Sequence, residues 1–248
     1  MSNARSMAFR RRSTRRIDEP PPELPEGAVI THLTPGRRGD ITLRVNKQRI
    51  AALDPLDITA LGLRIGGAWS EQLADRVLAA AARFAAHRDA MTILARRAVS
   101  RAEMVRKLQR KGYAAALAAS IADGLVARGH IDDAAFAQHF AESLTRRKPA
   151  GKGLIVAKLA QRGVARPAAE EAAKQALSGR DQLAEARDLA ARRLTRMPAK
   201  LDGQAVQRRL FGLLARRGFE PEICRRAVTE ALKAAPHQGR GTRGDDED

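Results

Sequence analysis

Three glycines, Gly112, Gly163 and Gly218, each close the same pattern of apolar residues, and this internal repeat limits what the chain can fold into more than any other feature. The copies read Leu108-Gln109-Arg110-Lys111-Gly112, Leu159-Ala160-Gln161-Arg162-Gly163 and Leu214-Ala215-Arg216-Arg217-Gly218. Further back, Met104 and Val105, Ile155 and Val156, and Leu210 and Phe211 occupy matching positions. An apolar residue follows each glycine: Tyr113, Val164, Phe219. This is the pattern of a helix that ends on a left-handed glycine and folds the next side chain back onto its last leucine. The glycines stand a little over fifty residues apart, enough for three short helices with tight links. Nine helices are therefore expected between His87 and Lys233, in three repeats spanning residues 87–130, 131–178 and 179–234.

The composition agrees with helices. Of 248 residues 44% are hydrophobic and only 3% aromatic, so alanine and leucine must build the core. Alanine has the best helix propensity and lets helix axes approach closely. The expected class is all-α: tandem three-helix repeats in an elongated curved array, preceded by a small module over residues 28–86. In that module Ile41, Leu43 and Val45 alternate between two turn-forming stretches and predict a β-ribbon. A ribbon this small needs support, which a helix beginning near Ser70 and carrying Leu73, Val77, Leu78 and Phe84 supplies. Residues 1–27, rich in arginine and then proline, read as a disordered basic arm, and 235–248, ending in Asp245, Asp246, Glu247 and Asp248, as a disordered acidic tail.

Several residues read as structural. Ser100 and Glu103 form a capping box that starts a helix at residue 101. After each glycine an amphipathic helix is expected to bury positions +5, +9, +13 and +14: Leu117, Ile121, Leu125 and Val126 in the first copy. Asp132 and Asp133 follow Gly129-His130-Ile131. Adjacent side chains point different ways on a helix and no further ligands lie nearby, so they read as a helix N-cap rather than a metal site. Gly151-Lys152-Gly153 lacks the earlier glycine, the hydroxyl residue and the preceding strand of a nucleotide loop; only a weak contact with a phosphate or carboxylate is open to it. Histidines and serines are scattered without nucleophile-and-base spacing, so catalysis, a cofactor and a metal are not expected. The lone Cys224 excludes an intrachain disulfide, points to a reducing cytoplasm, and reads as a small packing residue. No apolar run approaches a membrane span.

The charge carries the functional content. The chain bears a formal +18, with a pI near 11.3. Such a surplus attracts nucleic acid or acidic protein surfaces. The bases recur at matched places near the repeat helices: Arg96, Arg97, Arg101, Arg106, Lys107, Arg110 and Lys111; Arg146, Arg147, Lys152, Lys158 and Arg162; Arg208, Arg209, Arg216 and Arg217. They are expected to form a basic stripe. Tyr113, Phe136, Phe140, Phe211 and Phe219 all sit at apolar helix positions, so few rings remain for stacking bases and nucleic-acid contact would be to phosphates.

Laid out this way, the chain resembles the RecX family of recombination regulators over roughly Val29 to Leu232. The resemblance rests on Ala95-Arg96-Arg97 and Ser100-Arg101-Ala102-Glu103-Met104 before Leu108 and Gly112, on Gly129-His130-Ile131-Asp132-Asp133 before Phe136-Ala137, and on Arg147, Gly151 and Ile155 before Leu159 and Gly163. Gly153, the arm and the tail depart from the family pattern. The resemblance implies a non-catalytic protein that binds the RecA recombinase and its filament on single-stranded DNA and suppresses its ATPase, strand-exchange and coprotease activities. Its setting would be homologous recombination and the SOS response, and the protein itself a monomer. Three-helix units leave open the alternative of a direct DNA-binding protein of helix-turn-helix type.

Overall fold

The computed structural model describes residues 24–198 and 201–234. The acidic tail, and the basic arm as far as residue 23, lie outside the described residues. Residues 24–27 were assigned to the arm, yet Leu24 packs against the N-terminal core.

The fold divides into two compact units: residues up to 97 with 104–128, and residues 98–103 with those from 129 onward. In the first, β1 (Ile30–Pro35), β2 (Ile41–Val45) and β3 (Gln48–Leu53) form an antiparallel sheet in the order β1-β2-β3. Asn46 and Lys47 join β2 to β3 with positive φ at both positions, the two-residue hairpin geometry that matches strand twist. A short helix not expected from the sequence, α1 (Pro55–Ala60), follows, capped by Asp54, whose Oδ1 accepts from Leu56 N at 2.9 Å. The long α2 (Glu71–Leu94) starts at Ser70 as expected and seals the sheet: Val77 and Ala80 join Leu43, Val45 and Leu53 in one core.

α2 runs without interruption through position 87, where the sequence placed the boundary between module and first repeat. No glycine or proline lies between Glu71 and Leu94, so nothing stops the helix, and one element supplies both the module's lid and the first helix of the repeat. α3 (Arg101–Gln109) and α4 (Ala115–Ala127) complete that repeat, with α4 packed on α2.

The second unit holds α5 (Asp133–Arg147), α6 (Lys152–Arg162) and α7 (Arg166–Leu177), then α8 (Gln182–Leu194), α9 (Gly203–Arg216) and α10 (Pro221–Ala234). Each trio has its own core, one around Ile155 and Leu159, the other around Leu210 and Leu214. The repeat signature is realised three times over. Gly112, Gly163 and Gly218 have φ of 95°, 82° and 77°. The residue after each donates its N–H to the leucine carbonyl, Tyr113 to Leu108 at 3.3 Å, Val164 to Leu159 at 3.1 Å and Phe219 to Leu214 at 3.3 Å. All six of those side chains are buried.

The helix after each glycine turns positions +9 and +13 inward as expected, but the stripe is turned toward +6 and +10, leaving +5 half-buried. Position +14 faces outward in the first and third copies, with Val126 42% and Leu232 36% exposed, while Leu177 in the second is half-buried against its core. The buried stripe is +6, +9, +10 and +13, and at +6 it carries Ala118, Ala169 and Cys224, all fully buried. Ranking positions by side-chain size favoured valine and leucine, whereas the tightest helix contacts demand small residues. Cys224 thus stands where the other copies have alanine, and burial raises its thiol pKa, keeping it protonated.

Candidate partner surface and polyanion site

The sequence-selected residues fall into two classes, those that build the repeats and those that present charge. Ser100 Oγ accepts from Glu103 N at 3.1 Å, as the capping box requires, and donates at 2.6 Å to the carbonyl of Arg162 at the end of α6. Asp132 and Asp133 cap two different helices. Asp132 Oδ1 accepts from Ala134 N and Ala135 N at the start of α5, while Asp133 Oδ1 accepts from Arg101 N at 2.7 Å, at the start of α3. The adjacent carboxylates thus diverge, as adjacent residues at a helix start must. Replacing either aspartate by alanine is expected to lower stability by about 1 kcal/mol, measured by urea denaturation, with no response to added divalent metal.

Gly151 and Gly153 have the same structural purpose by other means. Their N–H groups donate to Arg217 O at 2.8 Å and Gly218 O at 3.0 Å. A β-carbon on Gly151 would overlap the Gly218 carbonyl. The first turn of α6 therefore rests backbone to backbone on the end of α9, as the first turn of α3 rests on the end of α6 through Ser100. In both junctions a donor at a helix start, the Ser100 hydroxyl in one and the Gly151 and Gly153 N–H groups in the other, meets carbonyls left unsatisfied at a helix end. Because these donors are engaged, the contact with a phosphate or carboxylate left open for this segment does not arise at Gly151 and Gly153.

Among the bases, Arg162 does not stand free: its guanidinium pairs with the buried Glu103 at 2.9 Å and lies 5.4 Å from the Phe140 ring centre. Lys111 pairs with Asp89 at 3.2 Å, and the same carboxylate accepts from the Tyr113 hydroxyl at 3.0 Å. Burial, and then the Asp89 charge, hold that phenol above its ordinary pKa. Arg146 pairs with Glu142 on the surface of α5, with Arg147 exposed beside it. Lys158 donates to Gln161 on α6. Lys152 borders a shallow concavity with Glu170, Glu171 and Lys174, where acids offset it. Arg96 and Arg97 are exposed in the link before α3, and Arg106 and Arg110 are exposed on or just after that helix. Arg101 and Lys107 are half-buried on it, as is Arg217 at the end of α9.

Arg208, Arg209 and Arg216 are brought together. They line one cleft on the third repeat with Arg193, Met197, Ala205 and Leu213. Arg193 lies outside the expected stripe, although the run Arg192-Arg193 with Arg196 on and after α8 matches Arg146-Arg147 at the end of α5.

Among the described residues no group of three or more His, Cys, Asp or Glu side chains is placed to hold a metal ion. No described helix is long and apolar enough to cross a membrane.

Comparison with known proteins agrees with this architecture. Residues 132–172 match the family pattern described as the second three-helix domain of RecX, and residues 180–228 the third. Regulatory protein RecX of Chlorobaculum tepidum is 36% identical over 143 residues, which cover 58% of this chain and 86% of that protein. The Mycobacterium avium (strain 104) protein of the same name is 36% identical over 149 residues, covering 58% and 83%. A crystal structure of a regulatory protein RecX shares the fold, with a TM-score of 0.65 at 18% identity, covering 79% of this chain and 96% of that one. A RecX from Lactobacillus salivarius aligns with a TM-score of 0.51 at 19% identity over 61% of this chain. With repeat helices, junctions and sequence in agreement, the chain belongs to the RecX family of regulatory proteins.

Proposed function

We propose that this protein is a non-catalytic regulator of the RecA recombinase, acting in the cytoplasm as a monomer. In this reading it binds RecA and the RecA filament on single-stranded DNA, and it inhibits ATP hydrolysis, strand exchange and coprotease activity, restraining homologous recombination and the SOS response. The observation that carries the reading is membership of a family of regulatory proteins in a chain whose repeats display a large surplus of exposed bases. Repeated units that each present bases suit many weak contacts along a polymer. Exposed arginines and lysines then meet acidic protein surface and DNA phosphate, the latter weakly and without sequence preference.

The test is RecA's ATP hydrolysis on single-stranded DNA, titrated with the purified chain at low salt. The rate is expected to fall progressively to a small fraction of its starting value. An unchanged rate at saturating ratios refutes the reading. A sequence-selective footprint on duplex DNA without recombinase would instead establish a helix-turn-helix DNA-binding protein.

A further inference from the structure

We infer that the arginine cleft of the third repeat is a binding site for the phosphodiester backbone of a nucleic acid, with Arg193, Arg208, Arg209 and Arg216 as its ligands. This rests on the proposed regulatory role only in supplying a polyanion for the site to meet.

Three observations carry it. The first is uncompensated charge. None of the four arginines has an acidic partner within ion-pair distance among the described residues, whereas Lys111, Arg146 and Arg162 all do. Asp202, the acid nearest in sequence to Arg208 and Arg209, is occupied in capping α9 through Gln204 N and Ala205 N at 3.2 and 3.3 Å. Four guanidiniums gathered without a counter-charge repel one another, an arrangement that an incoming polyanion relieves.

The second is spacing. Arg208, Arg209 and Arg216 share one face of α9 and span about 12 Å at 1.5 Å per residue. One strand of a duplex rises about 3.4 Å per phosphate along its axis, so the length of this face matches roughly three to four phosphate steps. Arg193 enters from α8 on the other side of the cleft. The planar fork of each guanidinium matches phosphate oxygens two at a time.

The third is Gly212, in the middle of α9 on this same face. Glycine inside a helix destabilises it relative to alanine, and no core packing requires it here: the only group a β-carbon would approach is the flexible end of Arg216, at 3.2 Å. Without a β-carbon there, the Arg216 guanidinium can lie against α9 at Gly212, which keeps its charge on this face. The cleft's apolar floor, Met197 and Leu213, contains no aromatic ring, so bases are not stacked and recognition stays independent of sequence. An acidic protein surface would also meet the charge, but guanidiniums set along α9 and facing Arg193 across the cleft match the regularly repeated phosphates of a strand.

The test uses the full chain with a fluorescein-labelled 20-nucleotide oligo-dT and a 20-base-pair duplex, with anisotropy titrations across a salt series. The variant R193Q/R208Q/R209Q/R216Q is expected to bind at least tenfold more weakly at 100 mM salt. Its slope of log K against log salt should flatten by roughly 0.7 per lost phosphate contact on the single strand and 0.9 on the duplex. G212E, which sets a carboxylate in the middle of the face while keeping all four arginines, should weaken binding in the same way. Thermal melts establish that the variants fold, and R209Q/R216Q serves if the fourfold variant does not. An unchanged salt slope in a folded variant overturns the inference. So does a fourfold variant that loses affinity for RecA alone, without DNA, while its DNA slope is unaltered, because the cleft would then be a protein-docking face. If the native chain leaves RecA untouched and the slope still flattens, the regulatory reading fails and the cleft remains.

Discussion

Replacing Gly218 by alanine is expected to remove at least about 4 kcal/mol of stability, while the same change at Gly112 removes only about 1–2 kcal/mol. Both glycines close the same repeat signature with the same left-handed backbone, φ 77° and 95°. The conformational penalty for a β-carbon is therefore shared. The surroundings differ. A β-carbon on Gly112 meets nothing within 4 Å, whereas on Gly218 it would overlap the backbone N and the Cα and Cβ atoms of Leu154. Relieving that overlap means lifting the first turn of α6 off the end of α9, which breaks the bonds from Gly151 N and Gly153 N, each worth about 1 kcal/mol. G151A separates the two contributions. Gly151 has φ −84°, which any residue adopts, so its alanine variant loses only the close approach, about 3 kcal/mol. Urea denaturation followed by circular dichroism measures all three. Equal losses at Gly218 and Gly112 would remove the junction from the account of what holds the second and third repeats together.

The same junction shows what the sequence could and could not reveal. The three glycine-terminated helices were legible because their signal is local: a leucine, an apolar residue four positions earlier, and a glycine within one helical turn and its cap. So were the capping roles of Ser70 and Ser100, which act within three residues, though not the bond from Ser100 to the distant Arg162 carbonyl. The purpose of Gly151 and Gly153 was not legible, because the group that demands them, the Gly218 carbonyl, lies more than sixty residues away. Asp133 fell between: its capping role was read correctly in kind, but the helix it caps, α3, is the preceding repeat's rather than its own. Position +6 of the last helices was missed because alanine carries almost no hydropathy signal, although it marks the tightest contact. The charge-presenting residues were the least legible. Charge and residue type do not separate Arg162, turned inward onto Glu103, from Arg216, which lines the cleft; only one step in the repeat does, Arg162 standing one residue before its glycine and Arg216 two.

That contrast yields the second large effect. Replacing Arg162 by methionine is expected to destabilise the protein by about 2 kcal/mol, because it takes the guanidinium partner from a Glu103 side chain only 9% exposed while leaving the carboxylate charged. The estimate sits below the range for fully buried pairs because Arg162 itself is 38% exposed, and water screens part of the interaction. Methionine keeps most of the aliphatic stem over Phe140, so the loss reports the charge rather than a cavity. E103Q, which leaves a neutral group for Arg162 to hydrogen-bond, should cost about 1 kcal/mol. The double variant R162M/E103Q should recover part of the difference, with a coupling of about 1 kcal/mol by double-mutant cycle. Strict additivity would mean that the ion pair contributes nothing and that Arg162 is held only by its packing. The functional consequence runs opposite to that of the cleft arginines. R162M/E103Q removes one base and one acid that already neutralise each other, so its oligo-dT salt slope should match that of the native chain. R209Q/R216Q removes two bases with no acidic partner among the described residues, so its slope should flatten while its stability stays near native. A basic residue in these repeats is thus assigned by what faces it: where a carboxylate does, the charge holds helices together, and where none does, the charge is left for an external anion.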